Sequence, residues 1–202
     1  MAKKADAKVD VADRVIETAM TLAAAGRWRD LSLAEIAEAA KVPIAKVYPL
    51  YPSRQAILDA FVRRIDAEVL AGGDAEDLEG SARDRLFDVV MRRFDALDPY
   101  KAAVATIAYD EARDPMSAVA GACRLRRSMA LMLEAAGLAT GGVRGVLRIK
   151  GLALIYLATL RVWLRDESAD KARTMAALDT QLRRTEALVL RLRGRRPAPE
   201  AA

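Results

Sequence analysis

The side chains best suited to chemistry lie in residues 39–58, a stretch that contains no acidic residue. Lys41, Lys46 and Arg54 lie inside it, and an uncompensated positive surface is what contact with nucleic-acid phosphates requires. Tyr48 can also donate its hydroxyl group to a phosphate. Arg54 lies near the predicted start of a helix, where backbone amides favour anions. The alternative is a small three-helix core whose basic residues are solvated.

Helical patterns on both sides predict how this stretch is positioned. An apolar face over residues 9–25 predicts a first helix. Ser32 followed by Glu35 forms a capping box that starts a second helix, and residues 41–43 form the turn after it. Ser53 is a good N-cap for a helix over about 54–71. The order is that of a helix-turn-helix, whose second helix reads the DNA major groove.

The second helix of this motif presents a short reading surface. Ile44 and Ala45 can touch thymine methyl groups, and Lys46 can reach a guanine or a phosphate. The complete set of predicted DNA-contacting residues is Ser32, Lys41, Ile44, Ala45, Lys46, Tyr48 and Arg54.

The rest of the chain is predicted to be helical throughout. We expect an all-α fold of about nine helices, with an N-terminal helix-turn-helix domain over 1–72. A larger ligand-binding and dimerisation domain is predicted over 73–194, and a disordered tail over 195–202. The most apolar run, residues 151–164, falls short of the roughly 20 residues that a membrane-spanning helix needs.

Composition narrows the function classes. The chain of 202 residues has a net charge of +5, which suits a polyanionic partner such as double-stranded DNA. It contains no histidine, and this excludes histidine-based metal sites and Ser-His or Cys-His catalysis. With no phosphate-binding glycine loop either, we predict neither an enzyme nor a cofactor. A single cysteine, Cys123, indicates a reducing compartment, and we expect a cytoplasmic protein.

Two further hypotheses concern the second half. Bulky and adaptable side chains there are expected as a set to line an apolar cavity for a hydrophobic or amphipathic ligand. For any single one of them, the alternative is packing in the core. A predicted helix over 143–165 is apolar nearly all round from residue 151, so it needs burial on two sides, and a second subunit would supply one of them. The predicted pocket residues are Phe87, Met91, Phe94, Tyr109, Met129, Met132 and Tyr156, and the predicted dimer contacts are Leu160, Trp163, Leu164, Leu178 and Leu182.

The first 60 residues or so resemble the TetR family of bacterial transcriptional regulators. The similarity is carried by the first helix ending at Gly26, by the helix that follows Ser32, and by the junction Tyr-Pro-Ser-Arg-Gln-Ala-Ile-Leu over 51–58. The resemblance implies an all-α homodimer with an N-terminal DNA-binding domain and a C-terminal ligand-binding domain. Such a protein would be a ligand-responsive repressor on a palindromic operator.

Three residues depart from the pattern of that family. Lys41 stands where glycine is usual, and a positive φ is costly for a non-glycine residue, so we expect the turn to differ. Pro43 stands where a capping side chain is usual. Pro49 is expected to shorten or kink the reading helix and to move Tyr48 away from helical angles.

A second resemblance concerns the C-terminal half. The spacings of Trp163, Asp166 and Ser168, and those within residues 178–182, are similar to the ubiquinone-biosynthesis lipid-binding proteins that share the TetR-like fold. This resemblance implies an alternative function, in which the chain holds an isoprenoid or another lipid and its helix-turn-helix is degenerate.

Overall fold

The computed structural model describes residues 2–73 and 80–194, and the chain is helical there, without any strand. The prediction of an all-α fold with about nine helices is confirmed. The predicted tail at 195–202 lies outside the described residues. The nine α-helices are α1 (Ala2–Ala24), α2 (Leu33–Ala39), α3 (Ile44–Val47), α4 (Arg54–Ala71), α5 (Ala82–Leu97), α6 (Lys101–Glu111), α7 (Pro115–Ala135), α8 (Gly142–Trp163) and α9 (Ala172–Gly194).

Local signals set the helix ends. Gly26 adopts φ 79°, and its amide returns to the Ala23 carbonyl at 2.9 Å, which closes α1. Ser53 accepts a hydrogen bond from the Ala56 amide at 3.2 Å and starts α4. Asp114 accepts one from the Ser117 amide at 3.0 Å and starts α7.

The chain forms two compact units. The first contains the described residues of 1–71 and 95–128, and the second contains those of 72–94 and 129–202. The predicted boundary near residue 72 coincides with the first change of unit, whereas residues 95–128 group with the N-terminal part. The helices α5 and α7 each contribute residues to both units, so the functional division of the chain stays a prediction.

The first unit is built on α1, which packs along α6 and also contacts α2, α3 and α4. Its core includes the fully buried Trp28 and Ile57. The rings of Phe61 and Tyr100 pack edge to face, with 4.9 Å between their centroids. Arg64 of α4 pairs with the Glu17 carboxylate of α1 and donates to the Tyr100 hydroxyl at 3.0 Å. These contacts link α4 to α1 and to the segment between α5 and α6.

The second unit is centred on α8 and α9, which pack against each other. Asp166 fixes the start of α9, because its carboxylate accepts hydrogen bonds from the Thr174 amide at 2.9 Å and the Thr174 hydroxyl at 2.7 Å. The Ser168 hydroxyl donates to the same carboxylate, and these bonds hold the Asp166 pKa well below its usual range. The spacing of Asp166 and Ser168 therefore has a structural explanation as a helix start.

No helix within residues 2–73 and 80–194 is both long enough and apolar enough to cross a lipid bilayer.

Candidate nucleic-acid interface

The helix-turn-helix predicted from the sequence is present in the first unit. Helix α2 begins at the predicted cap, where the Ser32 hydroxyl accepts from the Glu35 amide at 3.2 Å. The Ser32 amide donates back to the Glu35 carboxylate at 2.9 Å, so the capping box is complete. Hydrogen bonds from Ser32 hold the pKa of Glu35 below its usual value. Helix α3 is anchored by Val47, which is fully buried.

The turn between α2 and α3 contains a lysine in the left-handed conformation. Lys41 has φ 54°, and its amide donates to the Glu38 carbonyl at 2.9 Å. The following Val42 amide donates to the Ala37 carbonyl at 2.9 Å, so α2 ends as it would with a glycine. The expectation that this turn differs was wrong: the lysine accepts a conformation that costs roughly 1–2 kcal/mol for a residue with a side chain.

The two prolines have separate effects on α3. Pro43 precedes it without any side-chain cap, and α3 has only four residues, as expected for a short reading helix. The expectation that Pro49 moves Tyr48 away from helical angles was wrong, because Tyr48 has φ −55° and ψ −42°. The Tyr48 amide still donates to the Ile44 carbonyl at 2.9 Å, and this bond holds the residue helical against the steric preference imposed by the proline.

Five of the seven predicted contact residues are exposed on one continuous segment. Tyr48 is 61% exposed and Ile44 49%, whereas Val47 between them is buried. The exposed set is Lys41, Ile44, Ala45, Lys46 and Tyr48, and we name it the reading surface. Two ammonium groups and a phenol can meet phosphates, while the apolar side chains can meet thymine methyl groups.

The other two predicted contacts form hydrogen bonds within the unit, and Ser32 does so while it is itself exposed. The Ser32 hydroxyl donates to the Glu35 carboxylate at 2.7 Å. Arg54 donates from Nη1 to the carbonyl oxygens of Trp28 at 2.6 Å and Arg29 at 2.5 Å, with its guanidinium over the Trp28 ring at 5.2 Å. Arg54 thus holds the loop before α2 against the start of α4, a role that sequence reasoning missed because its partners lie about 25 residues upstream.

A buried polar cluster secures α4, the helix that follows the reading surface. Arg124 of α7 is buried and donates to Gln55 at 2.9 Å and to Asp59 at 3.2 Å, both on α4. It also pairs with Glu111 of α6. One turn further along α7, the Ser128 hydroxyl donates to the buried Asp66 of α4 at 2.8 Å. We name these residues the α4–α7 cluster.

The seven predicted pocket residues do not line one common cavity. Phe94 stacks on Tyr156 with 5.3 Å between ring centroids, so this pair is packed core of the second unit. Met129 and Met132 are completely buried. Tyr109 lies in the first unit and is 59% exposed. Phe87 lines a cavity of about 430 Å³, and Met91 is half-buried.

A cavity larger than the one beside Phe87 lies entirely within the second unit. Its volume is about 890 Å³, and none of the seven predicted pocket residues lines it. Leu86, Leu152 and Ile155 form part of its apolar wall, and Arg144 and Arg148 also line it. Since α5, α7, α8 and α9 all supply residues, we name it the α8–α9 cavity.

The predicted dimer contacts need a correction. Trp163, Leu178 and Leu182 are buried within the second unit, so they cannot supply a surface to another subunit. Helical spacing marked them as apolar, but it does not distinguish a core from an interface. Leu160 and Leu164 are half-buried. Other apolar residues of α8 are exposed, and we name them the α8 stripe: Val143, Leu147, Leu154 and Leu157, of which Leu147 also lines the α8–α9 cavity.

Solved structures with the same fold exist. A TetR transcriptional regulator from Nitrosomonas europaea ATCC 19718 superimposes with a TM-score of 0.71 and 25% identity, over 87% of this chain and 98% of that one. A TetR transcriptional regulator from Rhodococcus sp. RHA1 gives a TM-score of 0.58 and 22% identity, over 86% of this chain and 95% of that one. A TetR-family transcriptional regulator from Streptomyces coelicolor gives a TM-score of 0.57 and 17% identity, over 89% of this chain and 80% of that one.

No protein-family profile matches the chain, and no curated protein does. The structural neighbours confirm the resemblance to the TetR family that the N-terminal residues indicated.

Proposed function

We propose that this chain, a protein of the TetR-family type, is a dimeric regulator that represses transcription at a palindromic DNA operator and responds to a small ligand. The observation that supports it best is the reading surface. Lys46 on the short helix α3, Lys41 in the turn before it and Tyr48 at its end are all exposed, and they follow directly after the capped helix α2. In a regulator of the TetR type, such a surface would bind DNA.

Dimerisation is supported by the α8 stripe. Its four residues occupy positions i, i+4, i+11 and i+14, which repeat as the apolar positions of a coiled coil do. They are exposed although they are large and apolar, and exposed apolar side chains along one helix favour association. Two reading surfaces related by a two-fold axis would suit half-sites about one helical turn of DNA apart.

Ligand response is supported by the α8–α9 cavity, whose volume of about 890 Å³ suits a small molecule. The same cavity favours the second candidate function, a lipid-binding accessory protein with a degenerate helix-turn-helix. DNA binding distinguishes the two candidates, because only the regulator needs it.

The test measures binding of the purified dimer to duplex DNA from upstream of its own gene, across a series of salt concentrations. We expect Lys46→Ala to weaken binding about tenfold. If Lys46 contacts a phosphate, the slope of log K against log salt should fall by about 0.9. The matched control is Arg126→Ala, which removes the same charge from an exposed position of α7.

Equal losses for Lys46→Ala and Arg126→Ala would show a general charge effect and remove the assigned role of Lys46. If the intact dimer binds no DNA at low salt, the regulator is ruled out. A lipid that co-purifies with such a protein, found by extraction and mass spectrometry, would then favour the accessory function.

A further inference from the structure

The wall of the α8–α9 cavity combines two kinds of chemistry. Most of it is aliphatic, with leucines from α5, α7, α8 and α9. Its charged residues are three arginines and one glutamate, so the lining carries a positive excess. The charged residues are Arg83, Arg144, Arg148 and Glu186.

The three arginines differ in what they already bind. Arg83 pairs with Asp84 at 2.8 Å and lies 3.9 Å from the Glu186 carboxylate. Arg148 donates from Nη1 to the Ala139 carbonyl at 2.8 Å. Arg144 is exposed and makes neither an ion pair nor a side-chain hydrogen bond within residues 10–73 and 80–191. The cavity therefore has one arginine head group open to an anion beside a second that is only partly engaged.

A glycine widens the cavity in the middle of α8. Gly151 lines the wall between Leu147 and Ile155, one turn away on either side. A Cβ atom built at Gly151 would meet nothing within 4 Å, so neither packing nor backbone conformation requires a glycine there. Glycine inside a helix is destabilising relative to alanine. What its small size provides is open space next to the aliphatic wall.

We propose that the α8–α9 cavity binds an amphipathic anion, a single aliphatic chain that ends in a carboxylate. The chain lies over Gly151 against the leucines, and the carboxylate meets Arg144 and Arg148. This proposal names the class of ligand for the response proposed above. Only the effect of the ligand on DNA binding rests on the proposed function. An uncharged amphiphile would fill the same space without the ion pair, and so would bind more weakly.

The experiment uses the full-length protein and no DNA. Displacement of the fluorescent fatty acid cis-parinarate measures the affinity for hexadecanoate and for hexadecanol. We expect hexadecanoate to bind more tightly than hexadecanol, and Arg144→Gln to reduce this preference roughly fivefold. Arg173→Gln, which neutralises an exposed arginine of α9 outside the cavity, should leave the preference unchanged.

A second variant tests the position of the aliphatic chain. Gly151→Leu fills the space that the glycine leaves open, so both ligands should lose affinity while the unfolding temperature does not fall. Ala122→Leu adds the same bulk at an exposed position of α7 and should change neither quantity.

Equal affinity for acid and alcohol in the wild-type protein would overturn the anionic head group. Unchanged binding in a folded Gly151→Leu variant would overturn the site. If Gly151→Leu instead abolishes dimerisation and leaves ligand binding intact, a second copy of the chain covers the cavity, and the proposal fails. Because no DNA is present, these outcomes are independent of whether the protein regulates transcription.

Discussion

At the scale of single residues, Lys41 combines a strained backbone with an exposed charge. Its φ of 54° is one that glycine adopts freely, and its side chain is exposed in the turn before α3. A stable fold favours glycine at this position, whereas contact with phosphate favours lysine. The two requirements can be separated by substitution.

We predict that Lys41→Gly raises the free energy of unfolding by about 1 kcal/mol and weakens DNA binding about threefold to fivefold. Lys41→Ala should weaken DNA binding equally without the gain in stability, because alanine keeps the steric strain. Urea unfolding and DNA titration measure the two effects. Equal stabilities for the glycine and alanine variants would show that the backbone is not strained.

At the scale of elements, the helices could be predicted because their start and stop signals are local. The cap at Ser32, the cap at Ser53 and the glycine at 26 each act within four residues of the helix end. Interactions between distant elements could not be predicted in this way. The charge of Arg54 is visible in the sequence and predicts a contact with DNA, whereas the carbonyl oxygens that bind it become visible only in the fold.

The same limit applies to the candidate pocket and interface. Apolar residues at helical spacing show that a face is buried, but they do not show what covers it. Trp163, for example, fits the pattern of an interface as well as that of a core, and the structure buries it in the core. The sequence around Gly151 does not predict a cavity, because the open space beside this glycine depends on how far away the neighbouring helices lie.

The α4–α7 cluster leads to a prediction at this scale. Replacing Arg124 with methionine keeps the aliphatic contacts but leaves Asp59 and Glu111 without their cation in a largely buried site. We expect the free energy of unfolding to fall by about 3–5 kcal/mol, as measured by urea unfolding. The control Arg126→Met, two residues along α7 at an exposed position, should stay within about 0.5 kcal/mol of the wild type. Similar losses in both variants would mean that the cluster contributes no specific stabilisation.

At the scale of the whole molecule, the α8 stripe predicts how two copies meet. Leu154 is 69% exposed, and burying a glutamate there in an apolar contact without a partner is unfavourable. We expect Leu154→Glu to give a monomer in size-exclusion chromatography with light scattering. Val119→Glu introduces the same acid at a valine of α7 that is 62% exposed, and it should remain dimeric. A dimer in both variants would place the contact elsewhere.

The discontinuous first unit bears on how the protein can be re-engineered. Residues 95–128 complete that unit, and α6 lies along α1 within it. A chimera joined at residue 72 would carry α1 to α4 without the helix against which α1 packs and without Arg124. Under the proposed function, operator specificity would therefore not be transferred by exchanging residues 1–72 alone. Changing it calls for substitutions on the reading surface, made within the intact polypeptide.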